Sequence, residues 1–168
     1  MTPAQFIAKW KLVELKERAS SHSHFNDLCK VLEVDNPIDA DPSGEWYCFE
    51  KSLTKDSGGQ GFADVWKKGY FGWEYKGKKK DLKEAFVQLS RYREALQDPP
   101  LLIVCDMNRF EIHTNFNNTI KQVHAFDLDG LAEPINLRKL YDAFTNPEAL
   151  KPGITQEKRL IREERTFS

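Results

Sequence analysis

Leu101–Cys105 (LLIVC) is a run of five apolar residues with no polar alternation, placed directly after the stop Pro99-Pro100. A strand buried on one face alternates in polarity, whereas one buried on both faces reads as continuous apolar sequence. The run therefore predicts a central strand covered on both sides, which demands helices above and below a sheet. The helix to cover it lies just upstream. Lys80–Leu96 carries Leu82, Ala85, Phe86, Leu89, Tyr92 and Leu96 at helical spacing and ends before the two prolines.

Around this unit the chain reads as further strands and helices. Residues 3–19 are amphipathic through Phe6, Ile7, Trp10, Val13 and Leu15. Ser20–Ser23 read as a polar break, with a second helix over His24–Glu33. Turn chemistry at Asn36-Pro37 and Asp39–Gly44 sets a boundary. Short strands are expected at Trp46–Glu50, Phe62–Lys67 and Tyr70–Lys76, the last two joined through a tight turn at Lys68-Gly69. Phe110–Asn115 and Gln122–Phe126 read as two more strands, and Leu137–Phe144 as a short helix. The fold class is α/β, with a mixed sheet flanked by helices.

Composition narrows the function classes. Basic and acidic residues number 25 and 26, so any attraction to a polyanion must come from local clustering. The three cysteines, Cys29, Cys48 and Cys105, lack zinc-ligand spacing and read as buried free thiols. No apolar run reaches the length needed to span a bilayer, and the N-terminus lacks the apolar core of a signal peptide. A cytoplasmic protein without membrane contact is expected. The SGGQG stretch lacks the Gly-Lys-Ser/Thr ending of a phosphate loop, and no nucleophile elbow is present.

The pattern that carries chemistry is Asp64, nine intervening residues, then Glu74-Tyr75-Lys76. A triplet E-x-K alone is weak, since Glu14-Leu15-Lys16 is another. Strand geometry strengthens it. Glu74 and Lys76 share a face, and a turn centred on Gly69 sets Asp64 directly across the ladder from Glu74, with Cβ atoms about 5 Å apart. Ala63, Val65, Trp73 and Tyr75 then point to the apolar side. Two carboxylates so placed repel unless a cation joins them. Mg²⁺, for which Mn²⁺ substitutes, fits two carboxylates, the Tyr75 backbone carbonyl, water and phosphate oxygens. Lys76 would orient or deprotonate the attacking water and offset charge in the transition state. Seven lysines between Lys67 and Lys83, among them Lys67, Lys68, Lys78 and Lys79, predict a basic surface for a phosphate backbone.

These residues resemble the PD-(D/E)XK nuclease superfamily, which has the restriction-endonuclease-like fold. The matching residues are Gly61-Phe-Ala-Asp64, Trp73-Glu-Tyr-Lys76-Gly and a helix with Gln88-x-x-x-Tyr92. The resemblance implies that Gln88 and Tyr92 support the site or touch DNA backbone. An acidic residue from the first helices completes the metal site in some related nucleases; Glu17 and Asp27 are the candidates for it here, but both read first as ordinary solvated charge. His22 and His24 read as cap or core-edge residues rather than ligands, and Asp106–Arg109 as a hairpin turn.

More narrowly, the chain is similar to the N-terminal cleavage module of MmeI-like type IIG/IIL restriction–modification enzymes. The similarity runs through H24-F-N-D-L-C29, F49-E-K51, L89-S-R-Y-R-E-A-L96, P99-P-L-L-I-V-C-D106 and I112-H-T-N-F116. It implies N-terminal helices over 1–40, a nuclease core over 41–130 and a helical connector over 131–168. Double-stranded DNA is the implied partner, with methyltransferase and target-recognition domains in the same parent chain. S-adenosylmethionine would belong to that methyltransferase domain. This sequence has neither its glycine-rich loop nor its N-P-P-[FY] motif, and Asn146-Pro147-Glu148 is not one. A non-catalytic docking module of the same fold, or a junction- or repair-type nuclease, remain alternatives at this level.

Overall fold

The computed structural model describes residues 1–13, 17–52, 61–77 and 81–153, with the side chains of 17–19 left out. Helices α1 (Pro3–Leu12) and α2 (Glu17–Leu32) come first, then a single helical turn, α3 (Pro37–Ala40). Strands β1 (Tyr47–Lys51), β2 (Ala63–Lys67) and β3 (Phe71–Tyr75) lead into α4 (Leu82–Arg91). Strands β4 (Leu101–Cys105), β5 (Arg109–Thr114) and β6 (Val123–Asp127) precede α5 (Pro134–Thr145). Among the described residues six strands lie in sequence order in one sheet, and their single parallel pair is β3 with β4. That is the pair bridged by α4, as a parallel connection requires. No helix among the described residues is long and apolar enough to cross a membrane.

The covered central strand is as expected: all five residues of β4 are buried. Leu102 and Val104 pack with Leu82, Ala85 and Leu89 of α4, while Leu101, Ile103 and Cys105 join the core beneath α1, α2 and α5. Phe144 of α5 lies 5.1 Å from Phe71 and 5.9 Å from Trp73, ring centre to ring centre. Residues 134–145 are thus integral to the core that the N-terminal helices share. Cys29 and Cys105 are buried free thiols, and Cys48 is half-buried.

Two local readings differ from the structure. The first helix ends at Leu12, and α2 runs without a break through Ser20–Ser23. Thr2 and Gln5 close α1 at its start with a capping box, whereas Ser20–Ser23 lie inside α2 rather than at its start. Ser20 and Ser21 are buried, and Ser20 Oγ reaches Met107 Sδ at 3.3 Å. Serine is there because it is small on a tightly packed helix face. Likewise α4 ends at Arg91, and the chain continues as turns to Gln97. Leu96 still packs below, its carbonyl accepting from Trp66 Nε1 at 2.8 Å. A side chain at Gly72 would place a Cβ 2.9 Å from Leu96 Cδ1, so this approach needs glycine on β3.

Candidate metal centre

The hairpin of β2 and β3 turns at Lys68–Tyr70, where Gly69 has φ of +78° and Tyr70 N–H donates to the Lys67 carbonyl. Its ladder pairs Lys67 with Phe71, Trp66 with Gly72 and Val65 with Trp73. One further step in the same register sets Asp64 opposite Glu74. Val65, Trp73 and Tyr75 point into the core of α1, α2 and α5, while Trp66 packs on the α4 side. Asp64, Glu74 and Lys76 therefore face α4. Ala63, expected on the other face, belongs instead to the α4-side cluster at the start of β2.

The two carboxyl groups are in hydrogen-bonding reach of each other. Glu74 is buried and Asp64 half-buried. Burial pushes the Asp64 carboxyl above the usual carboxylate range and Glu50 adds to that; the Tyr75 N–H, Glu74 and Lys76 work the other way. The Tyr75 N–H donates to Asp64 Oδ2 at 2.7 Å. In an extended strand the carbonyl leaves on the same side as the N–H, so Tyr75 C=O is directed toward the Asp64 side. Lys76 Nζ makes a long hydrogen bond, 3.4 Å, to Gln88 Oε1 on α4. Asp64, Glu74, Lys76, Gln88 and Tyr92 line one cleft of about 890 Å³. Tyr92 packs against Phe62, with ring centres 4.8 Å apart.

Glu50 also lines this cleft, and sequence reading missed it. The β1–β2 ladder pairs Phe49 with Val65 and Lys51 with Ala63, which sets residue 50 opposite Asp64. Glu50 has φ of +54°, a conformation that breaks the strand's regular alternation and re-aims the side chain. The only signal in the sequence was its place in F49-E-K51, which does not foretell a left-handed residue. His22 stacks on Phe49 at 4.1 Å and stands 3.9 Å from Glu50, at the rim.

Other expected residues are not brought to the cleft. Lys67 Nζ donates to the Phe144 carbonyl at 2.7 Å and lies over the Tyr70 ring, on the face away from the carboxylates. Lys68 sits in the hairpin turn, four residues along the strand from Asp64, or about 13 Å. Lys78 and Lys79 lie outside the described residues, as does the Glu17 side chain. Asp27 serves the helix pair: it accepts from Trp10 Nε1 at 3.1 Å and pairs with Lys9 at 2.7 Å. Asp106 caps its hairpin turn, accepting from the N–H groups of Asn108 and Arg109.

Beneath β3, His24 of α2 meets the Tyr75 hydroxyl at 2.8 Å, enclosed by Phe6, Trp10 and Phe110. Burial lowers its pKa from 6.5 to about 3, with Asp27 opposing slightly. The unfolded chain takes up a proton below 6.5 while the folded one does not. Stability is thus full above that value and falls as the pH drops toward 3, by ~1.4 kcal/mol per pH unit. Urea midpoints at about pH 7 and about pH 5 should show the loss in wild type and a shallower dependence in His24→Gln. Equal pH dependence in both proteins would contradict it.

No curated protein and no solved structure matches the chain. The model of one family, described as MmeI, N-terminal domain, matches residues 1–164. With nearly its whole length matched, the chain belongs to the MmeI N-terminal domain family.

Proposed function

We propose that this chain is the metal-dependent endonuclease domain of a restriction–modification enzyme, hydrolysing phosphodiester bonds of double-stranded DNA in the cytoplasm. Family membership supports the restriction–modification context. The observation that carries the chemistry is the pair Asp64 and Glu74, set opposite each other on β2 and β3 in an open cleft, with Lys76 alongside. Methyltransferase and target-recognition domains would be its partners within a parent chain, and S-adenosylmethionine would bind there rather than here.

The residues fit a hard divalent cation. Two carboxylates set opposite each other across a ladder, one of them buried, are relieved by a shared proton or a shared cation. Among the described residues, no group of three or more His, Cys, Asp or Glu is placed to hold a metal ion, so the protein ligands here would be the two carboxylates and a backbone oxygen. Two carboxylates with a backbone carbonyl suit Mg²⁺, which keeps waters and takes phosphate oxygens. Asp64, Glu74 and the Tyr75 carbonyl would hold it, and Mn²⁺ would substitute. When bound, it supplies a more acidic water and neutralises charge on the phosphodiester.

The chain's own groups do the rest. Tyr75 N–H fixes one Asp64 oxygen and leaves the other for the cation. Gln88 holds Lys76 Nζ above the carboxylates, where it orients the attacking water and offsets the charge that develops on the phosphate oxygens. Tyr92, packed on Phe62, forms a wall of the cleft.

Supercoiled plasmid incubated with the protein tests this reading. Nicking is expected with Mg²⁺ or Mn²⁺ and none with EDTA. DNA binding without cutting at any metal concentration would instead mark a docking module. Cutting restricted to branched or damaged DNA would mark a junction- or repair-type nuclease.

A further inference from the structure

The wall of the cleft opposite the carboxylates is α4, and it holds a cation that the reaction described above does not use. Among the described residues lining the cleft, Lys76 and Arg91 are the cationic ones, against Glu50, Asp64, Glu74 and Glu84. Lys76 is engaged by Gln88 and lies near Asp64. Arg91 is exposed, and its guanidinium makes no hydrogen bond or ion pair to another described residue. It stands three residues after Gln88, so the two share a helix face.

A cation in the last turn of a helix suits the helix dipole whatever its function. Arg93 shows what that structural use looks like here: its guanidinium donates to the Ser90 carbonyl at 3.0 Å. Arg91 instead lines the cleft one helical turn beyond the Lys76–Gln88 contact. A guanidinium presents a planar fork of donors that matches two phosphate oxygens at once. Among the described lysines expected to grip DNA, Lys67 is bound to the Phe144 carbonyl and Lys68 lies in the distant turn.

We propose that Arg91 is the phosphate clamp of this site, its guanidinium holding a DNA backbone phosphate next to the one attacked at Asp64 and Glu74. The inference rests on the nuclease reading, since it names how the same cleft seats its substrate. Arg91 is then a binding residue without sequence preference, because a phosphate carries no base identity. It adds to affinity and register, and leaves the metal centre untouched.

The test is binding of a fluorescent duplex oligonucleotide to the full chain at several salt concentrations, with Ca²⁺ replacing Mg²⁺ to read binding without turnover. Arg91→Gln is expected to weaken binding roughly tenfold, as for loss of one charge-assisted contact. It should also reduce the slope of log affinity against log salt by about 0.9, the value for one phosphate contact on duplex DNA. Arg91→Lys should keep the slope and lose part of the affinity, because the charge remains without the fork. Arg93→Gln should match wild type. In Mg²⁺, Arg91→Gln should raise KM for DNA and leave kcat and Mn²⁺ affinity unchanged. Wild-type slope and affinity in Arg91→Gln would overturn the clamp while leaving the nuclease reading standing. Failure of the wild-type protein to bind DNA at all would overturn both.

Discussion

Lys76→Ala is expected to slow DNA cleavage by about two to three orders of magnitude, the usual effect of removing one preorganised donor from a transition state. The loss should fall on kcat. Lys76 follows Tyr75 at the end of β3, on the same side of the sheet as Asp64 and Glu74, and its Nζ is held by Gln88 on α4. The fold should survive, because the backbone bond from Lys76 N–H to the Cys105 carbonyl, 2.8 Å, does not depend on the side chain. The measurement is single-turnover cleavage of a labelled duplex in Mg²⁺, with thermal midpoint and Mn²⁺ affinity recorded on the same preparations. Equal cleavage by wild type and variant would show that Lys76 has no part in the chemistry, or that the activity belongs to a contaminant.

Trp73→Ala is expected to be the most damaging single change to the fold, costing about 3–5 kcal/mol. Trp73 is fully buried in the middle of β3. Phe25 meets its ring edge-on at 5.2 Å, and Phe71, Tyr75 and Phe144 lie within 6 Å. A domain of ordinary stability has only about 5–15 kcal/mol in total, so much of the population would unfold. The consequence reaches the site, because the neighbour of Trp73 on the other face is Glu74. Trp73→Phe keeps most of the apolar volume and should lose markedly less. Chemical denaturation of the three proteins checks the order, and a loss below about 1 kcal/mol for the alanine variant would contradict the packing account.

The hairpin was legible because two independent signals agree on it. Gly69 marks the turn, and alternation from Val65 to Tyr75 fixes which residues face which side, Ala63 being the exception; the ladder has that register. The covered strand Leu101–Cys105 was legible for a similar reason, since a run without polar residues admits few placements. Ser20–Ser23 misled because serine is read as a breaker from its surface habits, and nothing local announces that Met107, far along the chain, packs against it. Lys67 misled in the opposite way: a lysine beside a basic run looks like a phosphate contact, yet its ammonium group is fixed by a carbonyl on α5. Glu50 was invisible as a site residue because its position depends on one positive φ in a strand, which propensity does not foretell.

The most direct measurement of the account is Mn²⁺ binding to the purified chain near neutral pH, by calorimetry or electron paramagnetic resonance, for wild type, Asp64→Asn and Glu74→Gln. The register predicts saturable binding by wild type and a loss of at least roughly tenfold in affinity for either variant, since each removes one of two carboxylates on the ion. Unaltered Mn²⁺ affinity in both variants would mean that the pair does not hold the cation, and the proposed centre would have to be abandoned.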